Sequence, residues 1–374
     1  MNVSILKSGM LLFFVALLWT GCQKDDLPIV SNGPAFDIDQ FEQNLQDALD
    51  GNVTGYAYTI TKKGNLYTDG AGGWAVVGGS AAPGIEQSPN KRMTIASISK
   101  PITAVAALRV MEEHNVSLDE PFVKYVPSNW TVHASMNDIT LKQLLQHRSG
   151  IKSGGNDFEG LKEIVENGVQ PAHKGNYDYN NANFGMFRII LPYIMVPQQV
   201  ANVENNESSL DALTALHFID YIRWQMFEPI GIEDAKLMPD ESNPTLCYNF
   251  DDTSNPWLTA DYSFSAGAFG WYLSTNDLAN FWAHTLYDND FLSEEQREQM
   301  KDGLLGLKDV TGDHGKYIGH GGDWYSGGAD GRGMTGAILS FPNQVEVSLL
   351  INCRAGNHSS KYTLLKNAFD NAWE

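Results

Sequence analysis

Residues 93–113 read MTIASISKPITAVAALRVMEE, and the organisation of the chain works outward from this stretch. ITAVAALRVMEE is rich in Ala, Leu, Arg, Met and Glu, which lose little freedom in a helix. Pro101 is tolerated in a helix only within the first turn, where backbone N–H groups lack partners anyway. The pattern therefore predicts a helix that begins beside Ser97. Residues three apart share a helix face, so the Ser97 hydroxyl and the Lys100 amine can meet. The positive end of the helix dipole favours an anion developing there. A serine needs a nearby base to attack a carbonyl, and a desolvated lysine can serve. Ser-x-x-Lys also occurs at Ser4/Lys7, Ser88/Lys91 and Ser149/Lys152, but only Ser97/Lys100 opens a helix.

The 374 residues are 43% hydrophobic and 19% charged, an ordinary globular composition with enough chain for a sizeable core. Twenty-five Lys+Arg against 45 Asp+Glu give a formal charge of −20, which argues against nucleic acid as a partner. Three cysteines show neither CxxC nor a Cys/His cluster, and the nine histidines lack HExxH spacing, so no metal or other cofactor is expected. Cys247 and Cys353 are either a pair formed in an oxidising compartment or two separate buried thiols.

The amino terminus is a different kind of sequence. Lys7 precedes the apolar run MLLFFVALLW (10–19), too short for a spanning helix but right for the apolar core of an export signal. Thr20 and Gly21 lead into Cys22, and LWTGC resembles a bacterial lipobox in which the cysteine is lipidated, with Trp19 bulkier than usual. That resemblance implies a signal peptide over 1–21, a tether over 22–34 and a chain exported and lipid-anchored in the cell envelope through Cys22.

Beyond the tether, Ile38, Phe41, Leu45 and Ala48 mark an amphipathic helix over 37–49. Residues 55–67 read as a hairpin about Lys62-Lys63-Gly64-Asn65, and the Gly/Ala/Pro-rich 69–84 as a loop. From about 95 to 310 the pattern is mostly helical. Strands return at 334–341 and at VEVSLLIN, where Val345, Val347, Leu349 and Ile351 share a face. A last helix places Tyr362, Leu365, Phe369 and Ala372 on one side. The expected fold class is α+β. An antiparallel sheet from both chain ends, flanked by terminal helices, forms one lobe (about 35–95 and 312–374). A mostly helical lobe (about 96–311) is inserted, with a cleft between the two.

The stretch from Met93 to Ile151, running on to ITLKQLLQHRSGI, resembles serine β-lactamases and penicillin-binding proteins of the class C type. NYDYNNANFG supplies Tyr179-x-Asn181 and YIGHGG supplies His320-Gly321-Gly322, with FEPIGIEDAKL (227–237) and FSAGAFGWYLSTNDLANF (264–281) between them. The blocks fall in the family's order over roughly 55–352. The resemblance implies Ser97 as acylated nucleophile, Lys100 as its helper and Tyr179 as the phenol that exchanges protons with Ser97 and the leaving group. It also implies Asn181, His320 and Gly322 in substrate binding, and the N–H groups of Ser97 and Asp323 as oxyanion hole. His147 and Arg148 look reactive in isolation, yet the same block implies scaffold roles. Tyr177, Tyr262, Trp271, Trp324 and Tyr325 are candidates to line a groove, though packing is the commoner fate of each.

Free lysine and tyrosine titrate near 10.4 and about 10, so either needs about 4 kcal/mol of differential stabilisation to act as a base near neutrality. Burial in a shared cleft can provide that, and the sequence leaves open which of the two is the base. His320 stands where dedicated β-lactamases carry Lys, and a neutral imidazole attracts a carboxylate less. The expectation is a serine hydrolase of D-alanyl-D-alanine carboxypeptidase-like or esterase type, acting on a small-molecule or peptide substrate (an acyl-D-amino acid, ester or β-lactam). The rivals are a class C-like β-lactamase and an inactive binding protein that keeps the cleft.

Overall fold

The computed structural model describes residues 34–80, 82–326, 331–354 and 360–374. The export segment, Cys22 and all of the tether except Pro34 lie outside the described residues. Helix α1 (Ile38–Leu49) starts where Asp37 accepts the N–H groups of Asp39 and Gln40 at 2.9 and 3.0 Å. Strands β1 (Gly55–Lys62) and β2 (Asn65–Val76) form the expected hairpin. Its turn residues Lys63 and Gly64 both take positive φ, 52° and 74°, as a two-residue hairpin turn demands.

The loop expected over 69–84 is in part strand, because β2 runs on to Val76. Its glycines are there to receive aromatic rings from β1. A Cβ on Gly70 would lie 2.3 Å from the Tyr58 hydroxyl, and one on Gly72 would lie 2.5 Å from the Tyr56 ring. Glycine content reads as loop from composition alone, but here it is cross-strand packing.

Short strands β3 (Ile85–Glu86) and β4 (Met93–Thr94) lead into helix α2 (Ser99–Glu113). The helices α3 (Leu141–Leu145), α4 (Phe158–Asn167), α5 (Ala182–Gly185), α6 (Phe187–Met195), α7 (Pro197–Val203) and α8 (Glu207–Ile222) follow. Then come β5 (Cys247–Asn249), β6 (Asp252–Trp257), β7 (Tyr272–Leu273), α9 (Thr275–Tyr287) and α10 (Glu294–Gly303). The chain closes with β8 (Lys308–Gly312), β9 (Gly315–Tyr325), β10 (Gly333–Ser340), β11 (Val345–Ile351), β12 (Cys353–Arg354) and α11 (Lys361–Asp370).

The main sheet runs β8-β9-β10-β11-β1-β2-β3, every neighbour antiparallel, so strands from the two chain ends interleave. Strand β5 comes from mid-chain yet joins the end of β10 and pairs in parallel with β12. The last sheet segment begins at Lys308, a few residues before the 312 read from sequence.

Val345, Val347, Leu349 and Ile351 bury one sheet face against Phe41, Leu45 and Leu49 of α1 and Leu365 and Phe369 of α11. The rings of Phe341 and Phe369 stack at 4.0 Å in that core. Helix α9, capped by Ser274, packs on the sheet as well. Helix α2 is buried from Ser99 through Leu108, the pattern of a helix surrounded on all sides. Cys247 and Cys353 are two free, buried thiols. Among the described residues no helix is long and apolar enough to cross a membrane.

Candidate active site

Ser97 sits on a single 3-10 turn, Ala96–Ile98, between β4 and α2. Ala96 is held at φ 46°, a conformation that costs a residue with a Cβ and persists only where its surroundings enforce it. Part of that enforcement is visible. Ile95 donates its N–H to Trp271 O at 3.0 Å, and Met93 and Thr94 pair with β7. Strand β9 presses on the same turn. A Cβ on Gly322 would stand 2.3 Å from Ile95 O and 3.2 Å from Ala96 Cβ, so this glycine lets the strand pass the turn that carries Ser97.

Three groups meet at this turn. Lys100 Nζ lies 3.0 Å from Ser97 Oγ, 2.8 Å from Asn181 Oδ1 and 2.9 Å from Ala268 O. The Tyr179 hydroxyl donates to Ser97 Oγ at 2.7 Å. Asn181, expected to face substrate, therefore also holds the lysine. Burial pushes Lys100 well below the ordinary lysine range, and the Lys308 charge adds to the effect. A neutral amine has two N–H groups and one lone pair. In the neutral form the carbonyls of Asn181 and Ala268 would take the two N–H groups, leaving the lone pair to accept from Ser97 Oγ–H. Burial pushes Tyr179 the other way, up to about 12, so the phenol keeps its proton. The two shifts run in opposite directions, Lys100 toward the neutral amine and Tyr179 toward the protonated phenol.

Tyr179 stands on a loop between His173 and α5. His147 O accepts Asp178 N–H at 2.8 Å, and Arg148 Nη1 donates to Gly175 O at 2.6 Å. The His147–Arg148 block thus anchors the loop. On the opposite wall His320 is buried, its Nδ1 2.6 Å from Gly321 O. A carbonyl can only accept, so Nδ1 carries the hydrogen. Burial above all, with the Lys308 charge adding to it, holds this imidazole neutral.

In the β9–β10 ladder Ser326 N–H bonds Arg332 O at 2.9 Å. Antiparallel alternation then turns the Asp323 N–H away from β10, toward the edge of β9 that β8 leaves open beyond Gly319. The Asp323 side chain is occupied elsewhere: it pairs with Lys361 and accepts from Thr335 Oγ1 at 2.7 Å.

A cavity of about 570 Å³ is lined by Arg148, Tyr177 and Lys308, without Ser97, Lys100 or Tyr179. A second, of about 540 Å³ and lined by His133, Lys152 and His173, contains neither Ser97 nor Tyr179. Of the aromatic candidates, Tyr177 is exposed at the first cavity and Trp271 is core. Trp324 packs with Tyr262 and Phe269.

The beta-lactamase family profile matches residues 38–364. The chain belongs to the beta-lactamase family. Protein flp of Staphylococcus aureus (strain N315) is 25% identical over 224 residues, covering 57% of this chain and 44% of that protein. The putative penicillin-binding protein PbpX of Bacillus subtilis (strain 168) is 26% identical over 253 residues, 64% of this chain and 57% of that one. The chain thus spans about half the length of these curated relatives. In fold it resembles the D-amino acid amidase from Ochrobactrum anthropi SV3, with a TM-score of 0.67, 18% identity, and 89% and 98% of the two chains covered.

This beta-lactamase-family site holds groups that sequence reasoning missed. Lys308 reaches over the Tyr179 ring from β8, its Nζ 4.5 Å from the centroid. The signal available was Gly312-Asp313-His314-Gly315, a two-residue hairpin turn that would have revealed β8. The Ala268 carbonyl and the Lys361–Asp323 pair left no sequence signal. Among the described residues, His284, Asp288 and Asp290 could hold a metal ion; His284 pairs with both aspartates at the surface.

Proposed function

We propose that this beta-lactamase-family chain is a cell-envelope serine hydrolase that works through an acyl-enzyme on Ser97. Its activity is of D-alanyl-D-alanine carboxypeptidase-like or esterase type. The observation that carries the reading is one oxygen, Ser97 Oγ, at 3.0 Å from Lys100 Nζ and 2.7 Å from the Tyr179 hydroxyl. Ser97 attacks the substrate carbonyl while its proton passes to the Lys100 lone pair. The N–H groups of Ser97 and Asp323 receive the oxyanion. Tyr179 gives its phenolic proton to the departing amine or alkoxide, and the proton on Lys100 restores the phenol. Water then repeats the sequence on the ester, releasing the acid and returning Ser97 Oγ–H. The names of the relatives, a penicillin-binding protein and a D-amino acid amidase, support an acyl-transfer chemistry of this kind.

Labelling with a fluorescent penicillin and a fluorophosphonate, wild type beside Ser97→Ala, tests the reading. Label that disappears in the variant is expected; no label from either probe leaves the inactive binding protein. Turnover of a D-Ala-D-Ala peptide, a short-chain p-nitrophenyl ester and nitrocefin then separates peptidase, esterase and β-lactamase. Envelope anchoring rests on the lipobox-like Cys22, and Cys22→Ala releasing the protein from membranes is the expected result.

A further inference from the structure

The residues on either side of Tyr179 are both bonded to His147. Its carbonyl accepts Asp178 N–H at 2.8 Å, and its Nδ1 lies 3.3 Å from Asn180 N. The imidazole also lies against the phenol ring, with centroids 4.5 Å apart. Nδ1 faces a second donor, Asn183 Nδ2, at 3.3 Å. Ser149 Oγ, 2.5 Å from Asn183 Oδ1, fixes that carboxamide so that its amino group points at the ring. Two donors converge on Nδ1, so this nitrogen carries a lone pair and the hydrogen is on Nε2. An imidazolium would set a third N–H against the other two. The surroundings oppose that state: burial above all, with the Lys308 charge adding to it, pushes His147 down to about 3. His147 itself sits at φ 54°, which turns its carbonyl and its ring toward the same loop.

We propose that His147 is the positioning residue for Tyr179, its neutral imidazole and its carbonyl together aiming the phenol at Ser97. The inference rests on the hydrolase reading above and assigns His147 a place in it. Tyr179 lies on a loop with no helix or strand of its own to fix it, and its hydroxyl must come within hydrogen-bond reach of one oxygen. A displacement of about 1 Å at such a group costs about 100-fold in rate. The affected step is protonation of the leaving group, because Lys100, held by Asn181 and Ala268, still activates the serine.

The test uses two substrates with the same acyl group, a p-nitrophenyl ester and a simple alkyl ester. The first releases a stable phenolate that needs no proton, whereas the second releases an alkoxide that does. His147→Phe keeps an aromatic ring against Tyr179 but removes the Nδ1 acceptor. It is expected to lower kcat/KM, which reports acylation and not the shared deacylation, about 100-fold for the alkyl ester and about threefold or less for the p-nitrophenyl ester. His147→Asn offers a carboxamide oxygen in place of Nδ1 and tolerates positive φ, so it restores most of the alkyl-ester rate.

Should the Phe variant fail to fold, Asn183→Ala removes one donor from Nδ1 with the imidazole left in place. It is expected to show the same selectivity in smaller measure. Equal losses on both esters, or no loss on either, would overturn the inference. A wild-type protein that turns over neither ester and takes no fluorophosphonate at Ser97 would instead sink the hydrolase reading, and the positioning role with it.

Discussion

The Nζ of Lys308 lies 4.5 Å from the centroid of the Tyr179 ring, and Lys100 Nζ lies 4.8 Å from the same centroid. Two amines thus share one phenol, and their protonation states are linked. The Lys308 charge lowers Lys100, so removing it must raise Lys100. On the proposed mechanism, activity requires the neutral amine and is lost as pH falls through the Lys100 pKa. Lys308→Gln is therefore expected to move the acid limb of kcat/KM upward in pH. A neutral p-nitrophenyl ester is the substrate to use, since substrate charge would confuse the comparison. An acid limb that stays put, or moves down, would show that Lys100 is not the titrating base.

Lys100→Arg separates charge from basicity. A guanidinium stays protonated at any workable pH and offers no lone pair. The acylation rate, followed by fluorophosphonate labelling, is expected to fall by about 10²–10⁴-fold, the usual worth of a general base. Near-normal labelling would mean that some other group takes the serine proton.

Gly322→Ala tests the close pass of β9. Its new Cβ meets a backbone carbonyl, Ile95 O at 2.3 Å, which no side-chain rotation relieves. Overpacking of this kind typically costs about 1–3 kcal/mol. The displaced group would be the turn that carries Ser97. A lowered Tm and slowed labelling are expected together, and a variant indistinguishable from wild type in both would contradict the packing described here.

Phe369→Ala probes the other end of the molecule. This ring stacks on Phe341 at 4.0 Å and is fully buried between α11 and the sheet. Truncation is expected to destabilise by about 3–5 kcal/mol in denaturant titration. Labelling of Ser97 below the transition should persist, because the substitution lies on the far core of the sheet, among α1 and α11.

Much of this architecture is written in local pattern. The 3, 4, 3 spacing around Phe41 and Leu45 marks α1, and alternation from Val345 to Ile351 marks β11; the two meet in one core. Composition misled where its meaning depended on a neighbour. Gly70 and Gly72 look like loop until Tyr58 and Tyr56 are placed opposite them. Strand β5 was invisible as sheet because three residues carry no period, and pairing with β10 and β12 is what makes it a strand.

The candidate site divides in the same way. Sequence by itself determined the helix that opens beside Ser97 and the residue types able to do acyl transfer, because helix period and first-turn chemistry are local. Ser97 and Tyr179 are 82 positions apart, and only the folded chain brings their oxygens to 2.7 Å. The downward shift of Lys100, which nitrogen of His147 carries the hydrogen, and the place of Lys308 over the Tyr179 ring were all tertiary decisions. Each depends on burial and on distances between charges, and those quantities exist only once distant segments are packed together.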